Sequence, residues 1–331
     1  MGPQRLRENS DDLAALIARS SSARGIPQAF VEKDFWVTEV PRSVSEPLDT
    51  LIPSGVELDP HVVFKGGTSL SRAYHLIQRF SEDIDILVEP GSLVLGSNQL
   101  DKLLQRIDKR ARPFILEEGS QARVPSGKKG LYRNTQYDYP TRLVSTVLRP
   151  YVYLEMGVRG RAAPTERRQI RSLLAEICID ELHIDGATIV EFTPFSLEVL
   201  GPERTLIEKC AALHTAGEQL SDNRDALRPL GRHLYDVHAL LRADEVRARL
   251  QAIEGGAAAL ALDCHELSEF HGWHSAPRPE TGFASSDVFV MGTPANDALR
   301  AAYALVAPLV YGSVPTFGEC IRMVEEHRAT L

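Results

Sequence analysis

An α/β N-terminal lobe, a mixed sheet with helices, followed by an all-helical C-terminal lobe is the fold class that this 331-residue sequence predicts. Three observations carry that expectation. Up to about residue 200, short apolar runs of strand length alternate with helical periodicities; from Gly201 onward each apolar stripe has helical spacing. Between the two patterns no repeat or low-complexity segment intervenes. The third observation is a glycine turn, a helix and an acidic strand, following one another within about twenty residues from Gly66. The expected lobes are therefore residues 1–200 and 201–331.

Taken in order, residues 11–22 and 29–46 carry apolar residues at helical spacing, the second including Phe30, Phe35, Trp36 and Val37. Residues 62–65 form a short buried strand, 68–78 a helix and 80–88 a second strand. The next helix, 98–111, places Leu100, Leu103, Leu104 and Ile107 at i, i+3, i+4 and i+7. Residues 126–130, with two glycines and two lysines, read as a mobile loop. Strands are expected at 143–148 and 151–158, an exposed loop or hairpin at 160–168, and a strand at 188–192. Pro202 suits a first helical turn, and Leu206, Ile207, Cys210 and Leu213 continue that helix before Gly217. Helices follow at 231–242, 244–254, 256–270, 295–309 and 317–329, with a loop at 272–287.

Composition is that of an ordinary globular chain, 43% hydrophobic and 25% charged. Four scattered cysteines with no C-x-x-C pair predict free thiols in a reducing compartment. Residues 1–10 are polar and no apolar run approaches twenty residues, so a cytoplasmic protein with no membrane partner is expected.

The net charge of −8 is unevenly spread: residues 102–171 hold 16 Lys and Arg against 6 Asp and Glu, +10, leaving −18 for the remainder. Three basic clusters lie there: Arg106/Lys109/Arg110/Arg112, Arg123/Lys128/Lys129/Arg133 and Arg159/Arg161/Arg167/Arg168/Arg171. A basic face on an acidic body suits an anionic polymer, and Lys128, Lys129, Arg133, Arg159 and Arg161 are the expected RNA contacts. A merely solvated surface is the other reading.

The chemistry concentrates in Gly66-Gly67-Thr68-Ser69-Leu70 and Arg79-Phe80-Ser81-Glu82-Asp83-Ile84-Asp85-Ile86-Leu87. On a strand, Asp83 and Asp85 point to one face and Ile84 and Ile86 to the other. Two carboxylates on one face need a compensating cation, and Mg²⁺ favours carboxylate and phosphate oxygen. Glycines let backbone N–H groups approach a triphosphate, and Thr68 or Ser69 is suited to cap the following helix. A D-x-D alone is equally at home on a solvated strand; joined to the glycine turn it is far more specific. Glu155 stands alone in the apolar run from Tyr151 to Val158. A buried acid there is costly unless paired, with Arg142 or Arg159, or metal-bound.

This combination resembles the nucleotidyltransferase fold, in which a glycine loop and a D-x-D strand form one half-site. The fuller strings, Lys65 to Leu70 and Arg79 to Asp85, resemble a narrower group, the AbiEii/AbiGii-type toxins, which include the MenT toxins of mycobacteria. Glu32-Lys33-Asp34 before an aromatic resembles that group's N-terminal helix, a solvated face being the alternative reading. Glu203 to Leu213 resembles its E-K-x-x-A-L helix, Lys209 matching the working lysine. Arg232-His233-Leu234-Tyr235-Asp236 resembles its R-D-L-Y-D segment, departing at His233, where an Asp is usual.

The resemblance implies a toxin that moves a nucleoside monophosphate from an NTP, with Mg²⁺ at a two-metal site, to an RNA hydroxyl. The tRNA 3′ end is the implied acceptor, translation the process blocked, and an antitoxin protein the partner. Asp83, Asp85 and Glu155 would hold the metals, Glu155 also serving as general base. Lys65, Gly66, Gly67, Thr68, Ser69, Lys209 and Arg232 would hold the nucleotide, with Asp236 a further catalytic acid. Ser81 matches a serine that such toxins carry as a phosphorylation site. Transfer to a protein or small molecule, or a nucleotide-binding module without catalysis, are the alternatives.

Overall fold

Two helices lead into one mixed sheet. Helix α1 (Ser10–Arg24) is capped by Asn9, which accepts from the Asp12 N–H, and stops at Gly25 in the left-handed region. Helix α2 (Gln28–Ser45) is buried along its length from Phe30 to Val44, a core helix rather than an amphipathic one. The computed structural model describes residues 2–45, 61–89, 95–115, 122–158 and 160–331.

The sheet comprises β1 (His61–Lys65), β2 (Asp83–Glu89), β3 (Arg123–Lys128), β4 (Tyr132–Tyr137), β5 (Val152–Gly157), β6 (Thr165–Ile170) and β7 (Phe195–Leu200). Its order is β3-β4-β5-β2-β1-β7-β6. Strand β2 runs parallel to β5 and β1 parallel to β7, while the other neighbours are antiparallel. Ile84, Ile86, Val88, Leu154 and Met156 form the apolar face, each almost wholly buried. Helix α2 packs on β2, β5 and β7, and α4 (Ser97–Ile115) packs on β4 and α2. Helices α3 (Gly66–Arg72) and α5 (Leu173–Glu176) complete this unit.

Six helices follow: α6 (Pro202–Glu218), α7 (Gly231–Arg242), α8 (Asp244–Ala252), α9 (Gly256–Phe270), α10 (Pro294–Tyr303) and α11 (Phe317–Glu326). Helix α7 packs on α6, α10 and α11. Gly231 lets α10 approach closely, since a Cβ there would stand 2.3 Å from the Ala302 carbonyl oxygen. Thr316 and Glu319 close a capping box at the start of α11. By contacts, Met1–Tyr74 and Phe80–Leu200 form one compact unit, and His75–Arg79 with Gly201–Leu331 the other. Among the described residues, no helix is long and apolar enough to cross a membrane.

Several elements differ from the sequence expectation. The helix expected at 68–78 stops at Arg72, and the strand expected from residue 80 begins at Asp83. Residues 126–130 are the end of β3 and the turn into β4, a strand the sequence reading passed over. Residues 143–148 form no strand: β5 already pairs with β2 and β4, and Val144 is exposed. Residues 165–168 pair with β7 as the first part of β6 instead of looping out. The strand expected at 188–192 is two 3-10 turns, fixed by the buried Glu191 carboxylate accepting from the Leu6 and Arg7 N–H groups.

Candidate active site

Sheet register brings the acidic residues together. Asp85 of β2 lies opposite Glu155 of the parallel strand β5, and opposite Lys65 of β1 on its other side. Glu155 in turn lies opposite Asn134 of β4. Residues in register share a face, so Asn134, Glu155, Asp85 and Lys65 form one polar row across four strands, with Asp83 two residues along from Asp85. The alternation also puts Tyr153 on this face. Gly66 opens α3 beneath the row with φ +77°, and a Cβ there would stand 2.0 Å from Asp85 Oδ2. The glycine is therefore required twice, by its backbone conformation and by the carboxylate lying against it.

Thr68 and Ser69 have other work than the phosphate-cradling and capping expected of their side chains. Thr68 Oγ1 donates to the Asp83 carbonyl at 2.6 Å, and Ser69 Oγ donates to the Gly66 carbonyl at 2.9 Å. Helix α3 starts at Gly66 with Lys65 as a cap that makes no side-chain cap bond. Thr68 thus pins the turn to the acidic strand, while Ser69 closes the turn on itself.

Glu32, Lys33 and Asp34 are neither solvated nor at the acidic row. All three are buried, and each fastens a different segment. Glu32 accepts from Thr141 Oγ1 at 2.5 Å and from the Arg142 N–H at 3.4 Å. Lys33 donates to the carbonyls of Arg149, at 2.7 Å, and Tyr151, and lies 3.6 Å from Glu82. Asp34 pairs with Arg72 at 3.4 Å and accepts from the Leu173 N–H at 2.5 Å. Burial, opposed by the charge of Glu82, pulls the Lys33 ammonium down to about 8; burial likewise raises Glu82 despite Lys33. Both shifts have one origin, a pair whose attraction does not fully offset its desolvation.

Arg149, which the sequence reading left without a role, reaches the acidic row itself. Its Nη1 donates to Asp83 Oδ1 at 3.0 Å, while its backbone N–H donates to Glu82 at 2.7 Å. Arg142, a suggested partner of Glu155, pairs instead with Asp11 at 2.7 Å, and Arg159 lies outside the described residues.

The donors along the row, carboxylate oxygens on adjacent strands, fit a hard divalent cation in kind. Among the described residues no three His, Cys, Asp or Glu side chains converge tightly enough to hold a metal ion. Asp83, Asp85 and Glu155 thus share a face without closing to coordination distance, and Asp83 is held by Arg149.

In the helical unit, Asp236 is fully buried on α7. It accepts from Arg79 Nε and Nη2, each at 2.6 Å, and pairs with Lys209 Nζ of α6 at 2.7 Å. Burial alone would raise this carboxyl; Arg79 and Lys209 overcome it and hold the acid well below the usual range. His233 carries a buried Nδ1 without a hydrogen-bond partner, and burial, reinforced by Lys209, keeps its ring neutral.

The basic segment divides. Arg133 is turned inward to the buried Asp108, at 2.8 Å, which also takes Arg112 at 2.9 Å and the Tyr137 hydroxyl at 2.8 Å. Its employment is therefore structural, against the expectation of an RNA contact. Lys128, Lys129 and Arg161 are exposed. Ser81 is buried, and its carbonyl lies 3.5 Å from Thr68 Oγ1.

No curated protein sequence matches the chain. Among solved structures, MenT4, a nucleotidyltransferase toxin from Mycobacterium tuberculosis H37Rv, is similar at 18% identity and a TM-score of 0.44, over 96% of this chain and 95% of that one. The family model described as nucleotidyl transferase AbiEii toxin, type IV toxin–antitoxin system, matches residues 54–286, a span containing the glycine turn, the acidic row, Lys209 and Asp236. With more than half its length matched, the chain belongs to the AbiEii family of nucleotidyltransferase toxins.

Proposed function

We propose that this toxin transfers a nucleoside monophosphate from an NTP to a hydroxyl of RNA, the 3′ end of tRNA foremost, and so blocks translation. The observation that carries the reading is the register of Asp85 with Glu155, beside a glycine whose missing Cβ leaves room for the Asp85 carboxylate. Asp83 and Asp85 are assigned to hold Mg²⁺, which when bound would neutralise charge on the phosphates. Glu155 takes the proton from the acceptor hydroxyl as its oxygen attacks the α-phosphorus. The bond to the β-phosphate bridging oxygen breaks, and pyrophosphate leaves. Gly66 and Gly67 give the triphosphate access to the backbone. Lys65, Lys209 and Arg232 are assigned to phosphate charge on their motif positions, with Asp236 orienting Lys209.

The RNA assignment rests on the +10 balance of residues 102–171 and on exposed Lys128, Lys129 and Arg161. An antitoxin protein is the proposed partner. Ser81 is proposed as a modification site, where a phosphate would add roughly −1.5 to −2 charge beside Asp83; its burial requires that segment to open first. Ser81→Asp should then lose far more activity than Ser81→Ala, and equal activities would remove the site.

The test of the main reading supplies total RNA, Mg²⁺ and each α-labelled NTP in turn. Label in RNA is expected. Label in protein or in a small molecule would reassign the acceptor, and no label would leave a binding module.

A further inference from the structure

Arg149 stands where the acidic row most needs a cation. Its guanidinium is 3.0 Å from Asp83, its side chain is 46% exposed, and the charges of Glu82 and Glu155 also act on it. Its backbone, by contrast, is fastened at both ends of the residue: the N–H by Glu82 and the carbonyl by the buried Lys33. A tethered base with a half-solvated head can leave one anion for another without its segment moving. Asp83 itself is buried, its side chain 10% exposed, so it needs a cation at all times, and the half-solvated Arg149 head can leave it only as another cation takes its place.

We propose that Arg149 is an exchangeable counter-ion of the acidic row, neutralising Asp83 until a divalent cation takes that carboxylate and then turning to the nucleotide's phosphates. The inference rests on the assignment of Asp83 and Asp85 to metal. A guanidinium suits the second task, since its planar fork binds phosphate oxygens in pairs.

The exchange predicts two effects of opposite sign from one substitution. Mn²⁺ affinity without nucleotide, read by the electron paramagnetic resonance of free Mn²⁺, should tighten roughly two- to fivefold in Arg149→Met. Affinity for a non-hydrolysable NTP analogue in saturating Mn²⁺ should weaken about tenfold or more in the same variant. Arg149→Lys, which keeps the charge but loses the fork, should leave Mn²⁺ affinity near wild type and weaken the analogue less. Circular dichroism melts of each variant establish that the fold is kept, which the backbone anchoring favours. An unchanged value in either arm of Arg149→Met overturns the exchange. Asp85→Asn is measured alongside: if it binds Mn²⁺ as wild type does, the metal assignment itself fails, whereas a weakened Asp85→Asn with an unchanged Arg149→Met defeats only the exchange.

Discussion

Two aspartates show how the same ion pair can serve opposite ends. Asp83, on the strand β2, is itself buried but pairs with Arg149, whose side chain is nearly half exposed. Asp236, on the helix α7, is sealed from solvent between Arg79 and Lys209, with contacts of 2.6–2.7 Å. Water reaches the cation of the first pair, so that cation can leave when another takes its place on the buried carboxylate. Almost nothing screens the second, so removing the shared anion Asp236 strands two cations in the core. One arrangement is suited to exchange and the other to permanence.

The sharpest way to break that contrast is Asp236→Asn, which takes away the carboxylate that Arg79 and Lys209 share. It should cost about 3–5 kcal/mol of stability, read from urea denaturation, whereas Asp83→Asn should cost clearly less, because the cation it leaves behind, Arg149, is half in water. Equal losses would collapse the distinction. Activity should sort the other way. Asp85→Ala should lower transfer about a thousandfold, several kcal/mol of transition-state stabilisation, with its melting curve unmoved. A fully active Asp85→Ala would take the row out of the chemistry.

Lys33 sharpens the contrast through pH. Its ammonium is pulled from 10.5 to about 8 in the folded chain. Below pH 8 both folded and unfolded states hold the proton, and the full cost of burying the charge is present. Between 8 and 10.5 the unfolded chain holds a proton that the folded one has shed, so stability rises with pH across that window. The rise attributable to Lys33 is on the order of 2–3 kcal/mol, and Lys33→Met should abolish it. Parallel pH profiles for wild type and variant would show that the lysine is not the titrating group. The basic hairpin separates a structural arginine from its surface lysines. Arg133→Ala should cost about 1–3 kcal/mol by leaving Asp108 under-paired. Lys128→Glu with Lys129→Glu should keep the stability and weaken RNA binding severalfold, with a shallower salt dependence. RNA affinity unchanged across a salt series would make both lysines plain surface.

What could be read in the chain beforehand was what is local. The glycine turn and the D-x-D strand lie within one short segment, and strand alternation alone sets Asp83 and Asp85 on one face. The stripes of α6 and α7 were equally plain, because each is a property of its own helix. Arg79 and Asp236 stand 157 positions apart, and Lys33 and Arg149 116. No periodicity links such residues, so their pairings stayed hidden although Arg79, Lys33 and Asp236 all sat in noticed motifs. The strand β6 was missed for a related reason: Glu166-Arg167-Arg168-Gln169 is polar throughout, and only its partner β7 makes it a strand. A signal was available for Lys33, namely a charged triplet flanked directly by Phe30, Val31, Phe35, Trp36 and Val37.

That triplet has a consequence for what the chain can tolerate. Successive helical residues are separated by about 100°, so Glu32, Lys33 and Asp34 point three ways from one turn and hold three distant segments at once. Substitutions elsewhere on α2 would disturb packing by degrees. Deleting a single residue between Phe30 and Glu32 would instead swing the triplet by a quarter-turn or more relative to the aromatic side chains before it. The loop at 141–142, the Arg149 segment and the start of α5 would lose their anchors together. Point changes should therefore accumulate in this helix, while insertions and deletions within it should be almost absent among active descendants.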